Sequence, residues 1–193
     1  MSVETFAWFD NADDAADSGR RAILLPGGAY TIDHPVLFYV AGVLAGQGWF
    51  VQGVRWEIDA DARVDPVRFA ADAAELATDA APPGPTTLVV GKSFGSRAAP
   101  WVTGLGLPAI WLTPLLHEPA VADAIRAATA PTLLIGGTAD DLWDSDVAHA
   151  AGHQVHEIPD ADHGLQIGRD WRQTLAALHG LLAAVETFAR GIA

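Results

Sequence analysis

The sequence contains no cysteine, and Lys92 is its single lysine among 193 residues. Without thiols, the chain excludes a disulfide framework, a cysteine nucleophile and a cysteine-ligated metal site. It carries 11 Lys and Arg against 24 Asp and Glu, which gives a formal net charge of −13. The clustered cations that bind a nucleic-acid backbone or an anionic membrane surface are therefore missing. We expect no nucleic-acid partner and no membrane partner.

Long apolar runs are also missing. The most apolar stretch, residues 36–46, is eleven residues long and is too short to span a bilayer. Residues 1–5 have neither the positive segment nor the long apolar segment of a signal peptide. Half of the residues are hydrophobic and 18% are charged, as in a globular chain. We expect a single domain over residues 1–193, located in the cytoplasm.

Strand-like and helix-like segments alternate along the chain. The strand-like segments are residues 4–9, 21–25, 50–58, 86–90, 108–112, 132–135 and 154–158. The helix-like segments are residues 35–47, 66–79, 119–128, 145–151 and 171–189. Several strand-like segments are apolar without alternation, which is typical of strands buried on both faces. The pattern predicts an α/β fold with a mainly parallel sheet of about seven strands, flanked by helices.

Some helix starts carry their own signal. Asp65-Pro66 and Glu118-Pro119 each place a carboxylate before a proline at the first helical position. Asp144 is expected to cap the helix that begins at residue 145, because carboxylates suit the positive end of the helix dipole.

A glycine-rich pentapeptide follows the fourth strand-like segment. Gly91-Lys92-Ser93-Phe94-Gly95 has the pattern G-x-S-x-G. This pattern is typical of a nucleophile elbow, a strained turn from strand to helix that exposes a serine hydroxyl. Glycine suits both outer positions because a Cβ there would clash in so tight a turn. An ordinary strand-to-helix loop is the alternative interpretation of the pentapeptide taken alone.

Two further polar residues follow later strand-like segments. Asp140 comes shortly after segment 132–135, and His163 comes after segment 154–158. In an open parallel sheet, functional groups gather outside the carboxyl ends of the strands. The order Ser93, Asp140, His163 is the order that serine, acid and histidine take in α/β-hydrolases.

The chain resembles the α/β-hydrolase superfamily, and within it the compact serine esterases and dienelactone-hydrolase-like proteins, from residue 22 to about residue 189. The resemblance rests on three motifs: Leu24-Leu25-Pro26-Gly27-Gly28, the pentapeptide around Ser93, and the pair Gly137-Thr138-Ala139-Asp140 and Asp162-His163-Gly164. Many relatives have His-Gly where this chain has Pro26-Gly27. The loop after the early strand is therefore expected to differ in shape.

The resemblance implies a role for each site residue. Ser93 is the nucleophile, His163 is the general base, and Asp140 orients the imidazole and stabilises its cation. Backbone N–H groups of Phe94 and Gly28 form the oxyanion hole. The implied chemistry needs no metal and no other cofactor.

Neighbouring acidic residues offer alternatives at two positions. Asp141 adjoins Asp140 and is an alternative orienting acid, although the Gly-Thr-x-Asp pattern favours Asp140. Asp160 and Asp162 precede His163 closely, and the three residues resemble a metal cluster. No second histidine sits at helical ligand spacing from them, so we interpret this segment as a solvated acidic loop.

Four residues near the predicted site are candidates for the substrate pocket: Tyr30, Lys92, His117 and Trp143. Core packing is the favoured interpretation for each aromatic residue taken singly, and a solvated surface position is the favoured one for Lys92. No long insertion separates the predicted elements, so the fold should have no cap domain and the site should be open or shallow. The charge of −13 favours a neutral substrate over an anionic one.

The sequence predicts a serine hydrolase that cleaves a small ester, thioester or lactone through an acyl-enzyme. Peptidase and acyltransferase activities stay open, because the same triad serves them and a fold does not fix the substrate. The alternative from another class is a binding or interaction protein that retains the fold without turnover. The intact Ser, Asp, His order argues against that alternative. The sequence leaves the oligomeric state open.

Overall fold

The structure, a computed structural model, describes residues 3–9, 11 and 15–192. Seven strands lie within these residues: β1 Val3–Ala7, β2 Arg20–Leu25, β3 Phe50–Trp56, β4 Thr86–Lys92, β5 Ala109–Leu112, β6 Thr132–Gly137 and β7 Gln154–Ile158. The α-helices are α1 Pro35–Gly46, α2 Ala60–Val64, α3 Pro66–Ala80, α4 Ala99–Gly104, α5 Pro119–Ala127, α6 Ser145–Ala150 and α7 Trp171–Arg190. Ala15–Ser18 and Ser93–Ala98 form short 3-10 helices.

The seven strands form one sheet in the order β1-β3-β2-β4-β5-β6-β7. β1 pairs antiparallel with β3, and every other neighbouring pair is parallel. The carboxyl ends of β2 to β7 therefore lie at one edge of the sheet. The predicted α/β fold with a mainly parallel sheet of about seven strands is confirmed.

Side chains of the central strands alternate between two buried cores. In β4, Leu88 and Val90 face the core that α1 and α7 cover, whereas Val89 faces the core covered mainly by α3, α4 and α5. Both faces of the sheet are thus buried, which explains why the sequences of these strands are apolar without alternation. The two layers of helices fix the sheet and hold its functional edge in place.

Two of the three predicted side-chain caps at helix starts are present, and the third is not. Asp65 accepts a hydrogen bond from the Arg68 backbone N–H at 3.1 Å, and Asp144 accepts one from that of Val147 at 2.9 Å. Glu118 precedes α5, but its carboxylate makes no capping bond and accepts from Arg97 Nε at 2.9 Å instead. The predicted Glu118 cap is wrong because a charge-assisted bond to a guanidinium is stronger than a bond to a backbone N–H.

The functional edge of the sheet is open. Between β5 and β6, the described residues contain α5 as their one helix, and no cap covers the strand ends there. No helix in the described part of the chain is long and apolar enough to cross a bilayer.

Candidate active site

Ser93 sits at the strained turn between β4 and the 3-10 helix that follows. Its φ of +49° lies in the left-handed region, which non-glycine residues rarely occupy outside tight turns. A Cβ at Gly91 would lie 2.5 Å from the Trp111 ring, and one at Gly95 would lie 2.7 Å from the Leu25 carbonyl oxygen. Both glycines are therefore required where the turn passes its neighbours.

Ser96 holds this turn from inside. It is fully buried; its Oγ donates to the Ser93 carbonyl oxygen at 2.6 Å and accepts from the Leu115 backbone N–H at 3.1 Å. The turn is thereby tied to the loop after β5. The sequence reasoning did not identify Ser96, although its place one residue after the G-x-S-x-G motif was a usable signal.

The structure brings Ser93, His163 and Asp140 into one hydrogen-bonded chain. His163 Nε2 lies 2.8 Å from Ser93 Oγ, and His163 Nδ1 lies 2.7 Å from Asp140 Oδ2. The Asp140 side chain is 1% exposed and that of His163 is 35% exposed. With Asp140 ionised, Nδ1 must carry the proton, which leaves Nε2 to accept from the serine hydroxyl.

The backbone fixes the relative position of the loops that carry Asp140 and His163. The Ala139 N–H donates to the Ala161 carbonyl oxygen at 3.0 Å, and the Thr138 N–H donates to that of Ile158 at 3.0 Å. A Cβ at Gly137 would overlap the Ala161 backbone, so glycine is needed for this approach. The loops after β6 and β7 therefore pack as one unit.

Asp162 shapes the loop that carries His163. Its Oδ1 accepts from the backbone N–H groups of Gly164, at 2.8 Å, and Gln166, at 3.0 Å. Asp160 is exposed on the same loop. Across residues 3–9, 11 and 15–192, no three His, Asp or Glu side chains gather in a way that would hold a metal ion.

Gly28 and Phe94, whose backbone N–H groups are predicted to form an oxyanion hole, are neighbours in the structure. A Cβ at Gly28 would lie 3.9 Å from the Phe94 side chain, and the Phe94 ring packs edge-on against Trp56. Trp56 Nε1 donates to the Gly27 carbonyl oxygen at 3.0 Å. Because the peptide is trans, the N–H of Gly28 points away from this bond. The sequence reasoning missed Trp56, which anchors the loop.

Lys92 is not a solvated surface residue, and that interpretation is wrong. Its side chain is buried, and the residue is 1% exposed. The ammonium donates to Thr113 Oγ1 at 2.7 Å and to the His163 carbonyl oxygen at 2.8 Å, and it lies 4.7 Å from the centre of the Tyr30 ring. Lys92 shares a face of β4 with Leu88 and Val90, so the two-residue period of a buried strand was the missed signal.

The other predicted pocket residues have separate surroundings. Trp143 is buried in the core beside β6, where Gly136 makes room for its ring and its Nε1 donates to Glu157 Oε2 at 2.8 Å. Hydrogen bonds from Ser145 and Trp143 lower the pKa of Glu157. Core packing is therefore the correct interpretation for Trp143, and a pocket position is not.

Tyr30 and His117 lie nearer to solvent. The Tyr30 hydroxyl accepts from the Val36 backbone N–H at 3.1 Å, and burial raises the pKa of Tyr30. The side chain of His117 is half-exposed, and its Nε2 lies 3.9 Å from the Glu118 carboxylate.

A groove of about 310 Å³ opens beside the candidate oxyanion loop. Its lining residues are Glu4, Pro26, Gly27, Gly28, Thr31, Arg55, Trp56 and Glu57. None of the four residues predicted for the pocket lines this groove. The groove lies on the β1–β3 side of Gly28, and the sequence could not predict it because it depends on how β3 is placed next to β2.

The sequence matches no protein-family model and no curated protein sequence. Solved structures nonetheless share its fold. Est1E from Butyrivibrio proteoclasticus, with ferulic acid bound, superposes at a TM-score of 0.71 with 12% identity, covering 96% of this chain and 93% of the other. A serine hydrolase without a lid from Xanthomonas campestris superposes at a TM-score of 0.64 with 18% identity, covering 97% of this chain and 87% of the other. A Pyrococcus furiosus esterase superposes at a TM-score of 0.65 with 14% identity, covering 98% of this chain and 90% of the other. The chain has the α/β-hydrolase fold, in its lidless form.

Proposed function

We propose that the protein is a serine hydrolase that cleaves a carboxylic ester or a related acyl bond through an acyl-enzyme. The observation that carries the proposal is the chain Ser93 Oγ, His163 Nε2, His163 Nδ1 and Asp140 Oδ2, with distances of 2.8 and 2.7 Å. A serine hydroxyl is a poor nucleophile without an adjacent base, and this arrangement supplies one. The left-handed turn at Ser93 leaves the hydroxyl at the open edge of the sheet.

Acylation uses all three side chains. Ser93 Oγ attacks the carbonyl carbon while His163 Nε2 takes the hydroxyl proton. Asp140 accepts the bond from Nδ1–H, which keeps the imidazole in the required tautomer and stabilises its cation. The tetrahedral intermediate then collapses, the bond to the leaving alcohol breaks, and the alcohol departs with the proton from His163.

The carbonyl oxygen gains negative charge when Ser93 attacks. We assign the backbone N–H groups of Phe94 and Gly28 to stabilise it; losing one such donor elsewhere costs on the order of 10²–10³ in kcat. Deacylation repeats the sequence with water. His163 removes a proton from the water that attacks the acyl carbon; the bond to Ser93 Oγ then breaks, His163 returns the proton to Ser93 Oγ, and the carboxylic acid is released.

The groove and the charge of the protein suggest a small neutral substrate. Gly28 lines the groove, whereas Ser93 and His163 do not, and its volume of about 310 Å³ is at the lower end of the usual range for ligand pockets. The open edge of the sheet places no lid over a long acyl chain. Two structural neighbours, the Pyrococcus furiosus esterase and Est1E with ferulic acid bound, agree with an ester, thioester or lactone as the substrate. A charge of −13 disfavours anionic substrates.

The test is hydrolysis of a short-chain p-nitrophenyl ester together with labelling by a fluorophosphonate. We expect wild-type protein to turn over the ester and to take up the probe. Ser93→Ala should remove both activities, since loss of a triad serine costs on the order of 10⁶ in kcat. The melting temperature should stay nearly unchanged, because Ser93 is partly exposed and alanine keeps its Cβ.

Ser18→Ala is the matched control, since Ser18 is an exposed serine in the 3-10 helix before β2. It should retain full activity. A Ser93→Ala variant with wild-type turnover would refute the assignment of the nucleophile. Wild-type protein that neither hydrolyses esters nor binds the probe would support the binding-protein alternative instead.

A further inference from the structure

The ammonium of Lys92 connects the two parts of the candidate site that must meet during catalysis. Lys92 directly precedes Ser93, and its Nζ donates at 2.8 Å to the backbone carbonyl of His163, the residue that bears the base. A second bond runs to Thr113 Oγ1 at 2.7 Å. One side chain thus joins the nucleophile turn, the end of β5 and the loop after β7.

The fold makes this bridge possible. Lys92 pairs with Leu112 across β4 and β5, so the lysine side chain reaches past the carboxyl end of β5 to Thr113. Thr113 has a φ of +43° and its N–H donates to the Ile135 carbonyl oxygen at 2.7 Å, which fixes its hydroxyl. The His163 carbonyl belongs to the loop after β7. This loop brings the carbonyl within reach of the ammonium, although β5 and β6 lie between β4 and β7 in the sheet.

We propose that Lys92 is a positioning residue that holds the main chain of His163 so that its imidazole reaches Ser93 Oγ. The proposal rests on the serine hydrolase function proposed above. It assigns Lys92 no contact with substrate: the ammonium is buried, and its hydrogen-bond partners are protein groups. An error of about 1 Å in the position of a catalytic base is enough to lower kcat on the order of 10²-fold.

The electrostatics argue that this lysine is not present for stability. Burial lowers the pKa of Lys92 to about 8, against the opposing attraction of Asp140 and Asp162. The folded protein therefore holds a cation in a place that disfavours charge. Replacing Lys92 by an apolar residue would remove that cost of burying charge, although it would leave the Thr113 hydroxyl and the His163 carbonyl without their donor. A lysine kept for packing alone would be replaceable without loss of activity.

Lys92→Met separates positioning from packing, because methionine has a similar length and no charge. We expect its melting temperature to stay close to that of wild type, because relief of the buried charge offsets the two lost hydrogen bonds. On the p-nitrophenyl ester, kcat should fall on the order of 10²-fold while KM changes less than about threefold. A lysine with a merely structural role would shift the melting temperature and leave kcat intact.

Thr113 provides a second pair of variants with an unchanged lysine. Thr113→Val keeps the branched shape but removes one of the two acceptors of the ammonium, and we expect kcat to fall about tenfold, the effect of about one lost hydrogen bond. Thr113→Ser restores the hydroxyl and should restore most of kcat. If Lys92→Met fails to fold, this pair decides the question.

A measurement on the resting protein distinguishes failure of this proposal from failure of the proposed function. In the NMR spectrum of ¹⁵N-histidine-labelled protein, the Nδ1–H proton of His163, assigned with His163→Asn, should be sharp in wild type and broadened in Lys92→Met. If wild-type protein has no esterase activity but its Nδ1–H signal is sharper than that of Lys92→Met, the proposed function is refuted and the positioning role is supported. A folded Lys92→Met variant with wild-type kcat, KM and His163 signal would overturn the positioning role.

Discussion

Asp140 and Asp141 are adjacent in the chain but occupy different environments. Asp140 is buried and uses both carboxylate oxygens, one toward His163 Nδ1 at 2.7 Å and the other toward the Leu142 backbone N–H at 2.9 Å. The side chain of Asp141 is exposed to solvent. Two bonds hold the carboxylate of Asp140 against the imidazole, so the geometry supports the choice that the Gly-Thr-x-Asp pattern favoured.

We expect Asp140→Asn to lower kcat by about 10⁴-fold, because an amide in that position favours the wrong imidazole tautomer. Asp141→Asn should lower it by less than about tenfold, the effect of one exposed charge near a site. The measurement is kcat on a p-nitrophenyl ester for both folded variants, with melting temperatures as the check on folding. An inactive Asp141→Asn variant would move the orienting acid to Asp141, and two active variants would remove the role from both.

The polar residues of the site could be predicted from sequence, whereas the hydrogen-bond partners of their buried neighbours could not. Ser93, Asp140 and His163 follow strand-like segments, and the strand ends of a parallel sheet share one edge whatever the details of packing. Lys92 and Trp143 are different, because their environment depends on which side of a loop or strand meets the core. A lysine is almost never fully buried without partners, and Thr113 and the His163 carbonyl are distant in sequence.

The turn after β4 is held by close contact with the end of β2. A Cβ at Gly95 would meet the carbonyl oxygens of Leu25, at 2.7 Å, and Pro26, at 2.9 Å. These are backbone atoms of the strand that leads into the candidate oxyanion loop, so they have little freedom to move aside. The pentapeptide and the Pro26-Gly27 loop therefore form one unit of structure.

Gly95→Ala should destabilise the protein by about 1–3 kcal/mol, the usual cost of adding a methyl group to a closely packed site. It should also lower kcat, because the Leu25–Pro26 backbone must shift. Gly46→Ala in α1 is the control: a Cβ there meets nothing within 4 Å, and alanine in a helix is favoured by about 1 kcal/mol over glycine. Urea denaturation measures the free energy of unfolding of both variants. Equal stability of the two would contradict the close-packing argument.

Element prediction succeeded for the seven strands and five of the α-helices and failed for two short α-helices. All seven strands and five of the helices were predicted close to their observed ends, because burial on both faces and proline starts mark them. The short helices α2 and α4, of five and six residues, were not predicted, since fewer than two turns give no measurable helical period. α6 also has only six residues, but the capping residue Asp144 marked its start. The 3-10 helix at Ser93–Ala98 was predicted only as the start of a helix.

The charge of the chain is strongly unbalanced, and few acidic groups among the described residues have a cationic neighbour. Ion pairs in the described residues engage five arginines: Arg55, Arg68, Arg97, Arg126 and Arg190. Arg20 and Arg21 donate to backbone carbonyls, and Lys92 is buried. With 24 acidic residues against 11 Lys and Arg, most carboxylates repel one another without compensation. Such self-repulsion opposes the compact state.

Salt should therefore stabilise this protein near pH 7. Raising ionic strength from about 0.01 M to about 0.15 M shortens the Debye length from about 30 Å to about 8 Å, which screens repulsion between distant carboxylates. The same salt weakens the ion pairs, but exposed pairs contribute only about 0–1 kcal/mol each. We expect a net rise in melting temperature of about 2–4 °C, equivalent to about 1 kcal/mol. Near the sequence pI of about 4.6 the rise should disappear. A melting temperature that falls with salt at pH 7 would mean that the ion pairs, with Arg97–Glu118 the most buried of them, outweigh the repulsion.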